Sequence, residues 1–310
     1  MENQGVGLAE ALGRPFTTNR IRLRAPWRYL APQLWLMPFA ALDPAGDQLA
    51  PPWPELLIAT GRTSVALALA VKRASGGQTF AVQIQNPDFA IARFDLVVPP
   101  RHDRMVGPNI VSTRGALHRV TAQRLAAAAR EFGPGVAHLP RPLVAVLIGG
   151  SNRSYRLDSA ATEQLAAGLK ALAAQGAGLA ITPSRRTGAE NERILRARLA
   201  GTAANIWDGT GANPYFGYLA LADAIVVTGD SVSMVSEAAS TGKPVYVFDL
   251  PGGSAKFRAF HDGLRADGIT RTFAGKLERW TYRPLDDTAV VAAEVRRRLE
   301  LRPAMQRAGR

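Results

Sequence analysis

Apolar residues fall in short runs along this chain, and each run ends at a turn rich in glycine, proline or small polar residues. The runs at 56–60, 80–84, 94–98, 143–148, 179–182, 205–207 and 224–227 read as strands. Between them lie longer stretches with helical spacing at 63–74, 121–131, 160–175 and 191–199, and a final one at 287–301. Thr63 or Ser64 stands at one helix start and Gly76-Gly77 follows its end; Asn213-Pro214 marks another start. Continuous apolar strands alternating with helices predict parallel sheets joined by crossover helices. The pattern breaks at Phe132-Gly133-Pro134-Gly135 and Pro140-Arg141-Pro142, then restarts. The expected division is an N-terminal α/β domain at 1–138, a C-terminal α/β domain at 139–286, and a basic helix and tail at 287–310.

One stretch carries more information than the rest: Val227-Thr228-Gly229-Asp230-Ser231-Val232-Ser233-Met234-Val235-Ser236-Glu237, continuing to Gly242-Lys243-Pro244 and a second apolar run. It reads as strand, turn, helix and strand. Unpaired amides and the positive dipole end at such a helix start suit an anion such as a phosphate. Glu237 lies four residues after Ser233, on the same helical face, where a carboxylate would accept hydrogen bonds from a sugar diol. A plain capped helix with a solvated Glu237 fits the spacing equally well.

Other candidates also sit at strand ends. Gly149-Gly150-Ser151-Asn152 follows the 143–148 strand, either as a phosphate-approaching turn or as a tight strand-to-helix turn. Arg185 and Arg186 follow the 179–182 strand; they would clamp a diphosphate or pair with Glu190 or Glu192. Trp207 would stack on a nucleobase or fill the core. Lys256 and Arg258, expected in a loop after Pro251-Gly252-Gly253-Ser254, would reach phosphates or remain solvated. In the first half, Arg62, Gln85 and Asn86 end strands on the presumed acceptor side. His102-Asp103 is the general-base candidate, with a hydrogen-bonded structural histidine as the alternative.

Charge changes the picture in one respect. The net charge is +13 with a pI of about 10.9, which favours a polyanionic partner or reflects an arginine-rich composition. Arg20-Ile21-Arg22-Leu23-Arg24-Ala25-Pro26-Trp27-Arg28-Tyr29-Leu30 mixes guanidinium with apolar groups, as suits an anionic membrane surface or a lipid-linked acceptor; a basic surface loop fits too. No nucleic-acid recognition motif accompanies it, so nucleic acid is not expected; a protein partner stays open. There are no cysteines and no signal peptide is visible, which fits a cytoplasmic protein, peripheral on the inner face of the membrane. The sequence holds no Asp-x-Asp, no zinc-spaced histidine pair, no Gly-x-Ser-x-Gly and no Walker A loop.

With these residues in place, the Gly229-to-Glu237 segment resembles the nucleotide-sugar-binding segment of GT-B glycosyltransferases. Examples are the lipid-linked N-acetylglucosaminyltransferase of peptidoglycan synthesis and the Kdo transferases. The resemblance implies two Rossmann-like parallel-sheet domains facing a cleft, with Glu237 on the ribose and the helix start on the diphosphate. A closer match runs through Glu2-Asn3-Gln4, Gly7-Leu8-Ala9-Glu10-Ala11-Leu12, Gly61-Arg62, Phe94-Asp95-Leu96-Val97-Val98, His102-Asp103 and Gly107-Pro108-Asn109-Ile110. It continues through Pro183-Ser184-Arg185-Arg186-Thr187 and the Gly229–Glu237 segment. On these the chain is similar to bacterial members of the mitochondrial-fission "elongated mitochondria" family. Those members open with a strand and a Gly-rich turn before Glu-Asn-Gln, so the first strand of the N-terminal sheet is expected to be missing here. The implied function is binding of a nucleotide-diphosphate sugar, with metal-independent glycosyl transfer to a cell-envelope acceptor and no further cofactor. The implied donor set is Gly149, Gly150, Ser151, Asn152, Arg185, Arg186, Trp207, Asp230, Ser231, Ser233, Glu237 and Lys256. The rival is a non-catalytic scaffold that kept the fold.

Overall fold

The computed structural model describes residues 2–302. The chain forms two compact units, residues 1–119 with 286–310, and residues 120–285. The expected tail beyond residue 302 lies outside the described residues.

The first unit opens with α1 (Glu2–Leu12), which the sequence did not announce as a helix. Three parallel strands follow, β1 (Leu56–Thr60), β2 (Phe80–Ile84) and β3 (Leu96–Val98), in the order β1-β2-β3, with α2 (Val65–Ala74) between the first two. Alternation along β2 separates its two faces. Phe80, Val82 and Ile84 point to a core shared with Leu8 and Leu12 of α1 and with the terminal helix, while Ala81 points to α2 residues Val65, Ala68 and Leu69. The terminal helix is the last element of the chain and returns to this unit, as described below.

The second unit starts at α3 (Ala122–Val136), not after residue 138 as expected. The Gly133-Pro134-Gly135 break does not stop the helix, because α3 packs tightly on α6 (Tyr215–Leu221). A Cβ on Gly217 would come within 2.6 Å of the Phe132 side chain, so only glycine permits that approach. The unit's six parallel strands are β4 (Leu143–Ile148), β5 (Gly178–Pro183), β6 (Ala204–Ile206), β7 (Ala224–Thr228), β8 (Val245–Phe248) and β9 (Thr270–Thr272). Their order is β6-β5-β4-β7-β8-β9, so the winding direction reverses between β4 and β7. Both faces are covered. Val144, Val146 and Ile148 of β4 meet Leu165 and Leu169 of α4 (Ser159–Ala174) and Leu195 of α5 (Ala189–Arg198). Leu143, Ala145 and Leu147 meet α6, α7 (Val232–Ala239) and α8 (Ala255–Ala266). Lys256 and Arg258 therefore lie on a helix, not in the expected loop; Ser254 caps it by accepting from the Phe257 amide.

The final helix, α9 (Asp287–Glu300), is no separate tail. Val291, Ala292 and Val295 are fully buried in the core of the first unit, and Asp287 accepts a hydrogen bond from the Gly115 amide at 2.7 Å. Among the described residues, no helix is long and apolar enough to cross a membrane.

Candidate functional site

In an open parallel α/β sheet, ligands bind beyond the carboxyl ends of the strands, where the strand order reverses. In the second unit that point lies between β4 and β7. Gly149-Gly150-Ser151 leaves β4 there and Gly229-Asp230-Ser231 leaves β7. Arg185 and Arg186 follow β5, Trp207 follows β6, and Lys256 lies after β8. Gly149, Gly150, Ser151, Arg185, Arg186, Trp207, Asp230, Ser231 and Lys256 thus all follow strands of one sheet on its carboxyl side.

Asp230 is the hub of this edge, but its carboxylate points into the protein. Its side chain is fully buried and pairs with the Arg186 guanidinium at 2.9 Å. It also accepts from the Gly150 amide at 3.1 Å and from the Thr228 hydroxyl at 2.7 Å. The Gly149 amide donates to Thr228 Oγ1 at 2.8 Å. These contacts correct the phosphate-cradle expectation for Gly149 and Gly150, because both amides are already bonded within the protein. The glycines are required for close approach instead. A Cβ on Gly149 would stand 2.2 Å from Asp230 Oδ2, and one on Gly150 would stand 1.9 Å from the Arg186 carbonyl. Asp230 itself is a bracing residue on this geometry, since a buried carboxylate offers nothing attractive to a phosphate. Arg186 is tied to Asp230 rather than to Glu190 or Glu192.

Ser151 and Asn152 shape the following loop. Asn152 accepts from the Ser154 and Tyr155 amides at 2.7 and 2.9 Å and donates to the Asp230 carbonyl at 3.1 Å. The Leu157 amide donates to the Ser151 hydroxyl at 3.0 Å. Ser184 and Thr187 each donate to the Gly149 carbonyl, at 2.7 and 2.6 Å. The turn after β4 is therefore fastened from the ends of two neighbouring strands, β5 and β7.

What remains open to a ligand is narrower. Arg185 is exposed and has no ion pair among the described residues. The first turn of α7 is partly exposed. Ser231 caps it by accepting from the Met234 amide at 3.3 Å, and the Ser233 side chain has no partner among the described residues. Trp207 is half-buried, and its indole N–H donates to the Thr210 carbonyl at 2.8 Å, leaving ring surface at the edge of the sheet. Lys256 is exposed in the first turn of α8 and is engaged with a neighbour.

Glu237 is buried, at 7% exposure, so the solvated reading of this residue does not hold. Tyr215 donates its hydroxyl to Glu237 Oε2 at 2.5 Å. The second carboxylate oxygen has no protein partner among the described residues and is not sealed from solvent. Burial pushes the Glu237 carboxyl up to about 7, against the lowering effect of the Tyr215 hydrogen bond. Burial and the adjacent carboxylate push the Tyr215 hydroxyl well up. Sequence reasoning missed Tyr215; the Asn213-Pro214 signal places the helix start but not what its side chains meet. It also missed His261 of α8, buried beneath the β7 turn with Nε2 donating to the Gly229 carbonyl at 2.8 Å. Burial lowers that imidazole's pKa, and its Nδ1 is buried with no partner among the described residues.

In the first unit, the expected acceptor residues also gather at strand ends. Gly61 sits at φ +85° before Arg62, whose Nε lies 3.3 Å from Asp88 Oδ2. Gln85 adopts φ +73° and its amide donates to the Val98 carbonyl at 2.9 Å; the Asn86 side chain accepts from the Asp88 amide at 2.9 Å. His102 and Asp103 share the single-turn helix Arg101–Asp103 after β3, partly buried, and each is already engaged with other groups. No group of three or more His, Asp or Glu side chains suited to a metal ion occurs among the described residues.

The fold has relatives among solved structures. The UDP-GlcNAc 2-epimerase of Methanocaldococcus jannaschii aligns with a TM-score of 0.51 at 14% identity, over 78% of this chain and 76% of that one. The same enzyme in complex with UDP-GlcNAc and UDP aligns with a TM-score of 0.50 at 12% identity, over 79% and 76%. This is a likeness of fold, and it agrees with the expected GT-B-like pair of parallel-sheet units. In sequence, the chain is 37% identical over 276 residues to the mitochondrial fission protein ELM1 of Arabidopsis thaliana, covering 80% of this chain and 65% of the plant protein. It therefore matches just under two thirds of that relative's length. An uncharacterized protein of Rickettsia prowazekii is 29% identical over 289 residues, covering 80% of each. The sequence profile of the family "Mitochondrial fission ELM1" matches residues 1–299, and the chain belongs to that family.

Proposed function

We propose that the second unit binds a nucleotide-diphosphate sugar at the carboxyl edge of its sheet, and that the protein transfers the sugar to a cell-envelope acceptor. The observation that carries the reading is the half-occupied carboxylate of Glu237. Tyr215 fixes one oxygen and leaves the other without a partner among the described residues, on a helix whose capped start follows the switch-point strand β7. A ribose diol would donate to that free oxygen. The diphosphate would lie against the first turn of α7 and the unpaired Arg185, where dipole and guanidinium stabilise a departing anion without a metal. Trp207 offers a stacking face for the base. An epimerase of similar fold has been solved with UDP-GlcNAc and UDP, which supports a uridine nucleotide as the first to try. His102, beside Asp103, is the proposed base of the acceptor side, with Arg62, Gln85 and Asn86.

Thermal-shift titration with UDP, other nucleoside diphosphates and their sugars tests the donor site. Ligand at about a hundredfold excess over Kd adds roughly 2.7 kcal/mol to the folded state. A melting shift that disappears in Glu237→Gln supports the reading; a folded protein that responds to no nucleotide sinks it. One observation favours a non-catalytic scaffold instead. Gly149 and Gly150, whose amides would cradle a phosphate, spend them on Thr228 and Asp230. Donor binding without turnover of any acceptor would favour that second reading.

A further inference from the structure

Residues 20–42 form an irregular basic segment held at its base and projecting at its tip. Leu23 and Leu42 pair as an isolated antiparallel bridge. The Arg24 amide donates to the Ala41 carbonyl and the Asp43 amide to the Arg22 carbonyl, both at 3.0 Å. Trp35 is buried with Ala66 and Leu67 of α2, and its indole N–H donates to the Leu30 carbonyl at 3.3 Å. With Trp35 turned inward, its neighbours turn outward. Leu36 is 95% exposed, Met37 69%, Leu34 64% and Tyr29 73%. Of the nine large apolar side chains exposed among the described residues, five lie within 29–37. Single exposed apolar residues are ordinary on a protein surface; a cluster of them marks an interaction face.

The charge around the tip has one sign. From residue 11 to residue 42 there is no aspartate or glutamate, and there are five arginines: Arg14, Arg20, Arg22, Arg24 and Arg28. Arg14 and Arg20 are paired, with Glu55 and Glu2. Arg22, Arg24 and Arg28 are exposed and form no ion pair among the described residues. Two of them lie over aromatic rings, Arg24 at 5.0 Å from the Trp27 centroid and Arg28 at 4.6 Å from that of Tyr29. Apolar tips flanked by guanidinium groups without ion pairs among the described residues, and by amphipathic aromatic groups, match the layering of a bilayer surface, acyl boundary beneath phosphate. A side chain standing as clear as Leu36 suits insertion into a fluid surface.

We propose that this segment is a docking face for an anionic lipid bilayer, with Leu34, Leu36 and Met37 entering the acyl boundary and Arg22, Arg24 and Arg28 meeting the headgroup phosphates. The proposal is independent of the donor site. Co-sedimentation of the whole protein with vesicles tests it, using phosphatidylcholine alone and phosphatidylcholine with about one third phosphatidylglycerol. The anionic vesicles should carry the protein down and the neutral ones should not, with binding weakening as salt is raised. Leu36→Ser with Met37→Ser should cut partitioning roughly tenfold or more. Each of Arg22→Gln, Arg24→Gln and Arg28→Gln should cut it about fivefold. The melting temperature should hold in the Arg22→Gln, Arg28→Gln and Leu36→Ser, Met37→Ser variants; Arg24 also donates from Nε to the Ala40 carbonyl at 2.7 Å, so Arg22 and Arg28 carry the arginine test, which reports even if the apolar pair does not. Absence of binding to anionic vesicles overturns the proposal, as does undiminished binding by the variants. Equal binding to neutral vesicles overturns it as well. So does concentration-dependent dimerisation that the Leu36→Ser, Met37→Ser protein loses, which would make a second copy of the chain the occupant.

Discussion

At the scale of single residues, Glu237 sets function against stability. Its carboxyl sits at about 7 in the folded protein against 4.5 as its ordinary value. Between those values the native state holds a proton that the unfolded chain has released. The stabilising share of this group is therefore complete below about pH 4.5 and is lost as the pH rises through 7, a difference on the order of 3 kcal/mol. Glu237→Gln never ionises, so it should melt above the native protein at pH 8 and close to it at pH 4. Calorimetric scans at the two values check this; a variant that melts lower at both would make the carboxylate part of the scaffold. The same ionisation should govern the ligand. A diol donating to the carboxylate needs the charged form, so nucleotide affinity should fall as the pH drops below 7, and isothermal titration from pH 6 to 8 should show it. Asp230 behaves differently because its charge is paired. Asp230→Ala strands the Gly150 amide and removes the partner of Arg186, which should cost about 3 kcal/mol, visible as a lower urea midpoint with an unchanged slope.

At the scale of elements, the site depends on backbones passing closely at the β4 and β5 ends. Gly150→Ala places a methyl 1.9 Å from the Arg186 carbonyl, and a backbone atom cannot move aside cheaply. Gly176→Ala is the matched control: φ is +91° there, but nothing lies within 4 Å of the added methyl. The control should cost about 1 kcal/mol of backbone strain, and Gly150→Ala at least about 2 kcal/mol, in chemical denaturation. Equal costs would mean the β5 loop yields freely. Every strand of the described residues except β9, and most helices, could be read from the sequence because parallel strands buried on both faces are unbroken apolar runs, β4 above all; β9, a Thr-Arg-Thr edge strand, carries no such run. The helices that escaped reading have tertiary reasons. In α1, Gly7 interrupts the pattern, yet a Cβ there would come within 2.4 Å of the His118 carbonyl. In α8 the buried Phe260, His261 and Leu264 are interleaved with charged residues and glycine, so the apolar stripe is thin. The strand ends that line the site were legible for the same reason the strands were. What their side chains do there was not. Gly149 meets Thr228 across 79 residues, Gly150 meets Asp230 across 80, and Tyr215 meets Glu237 across 22. No local pattern records which polar groups satisfy one another at such separations.

At the scale of the whole molecule, the chain leaves its first unit at Arg119, completes the second, and returns at Asp286. A composition break after residue 132 suggested a simple succession of two halves and a tail, because proline and glycine mark local stiffness and not which core a helix joins. α3 joined the second core through α6, and α9 joined the first. This makes the first unit dependent on the end of the chain. Val291, Ala292 and Val295 are each fully buried there, against Leu8, Phe80, Val82 and Leu96. Removing them exposes apolar surface worth on the order of 4 kcal/mol, a large share of a domain stability of roughly 5–15 kcal/mol. Truncation after residue 285 should therefore loosen residues 1–119 while leaving 120–285 intact, since the second unit keeps all six strands and both covering layers. Limited proteolysis of the truncated protein should leave a resistant core that begins near residue 120. Calorimetry should show the first unit's share of the unfolding enthalpy lost and the second unit's share retained. If the resistant core also keeps its response to uridine nucleotides, donor binding belongs to the second unit alone; if both units resist proteolysis equally, α9 is an accessory to the first core rather than one of its walls.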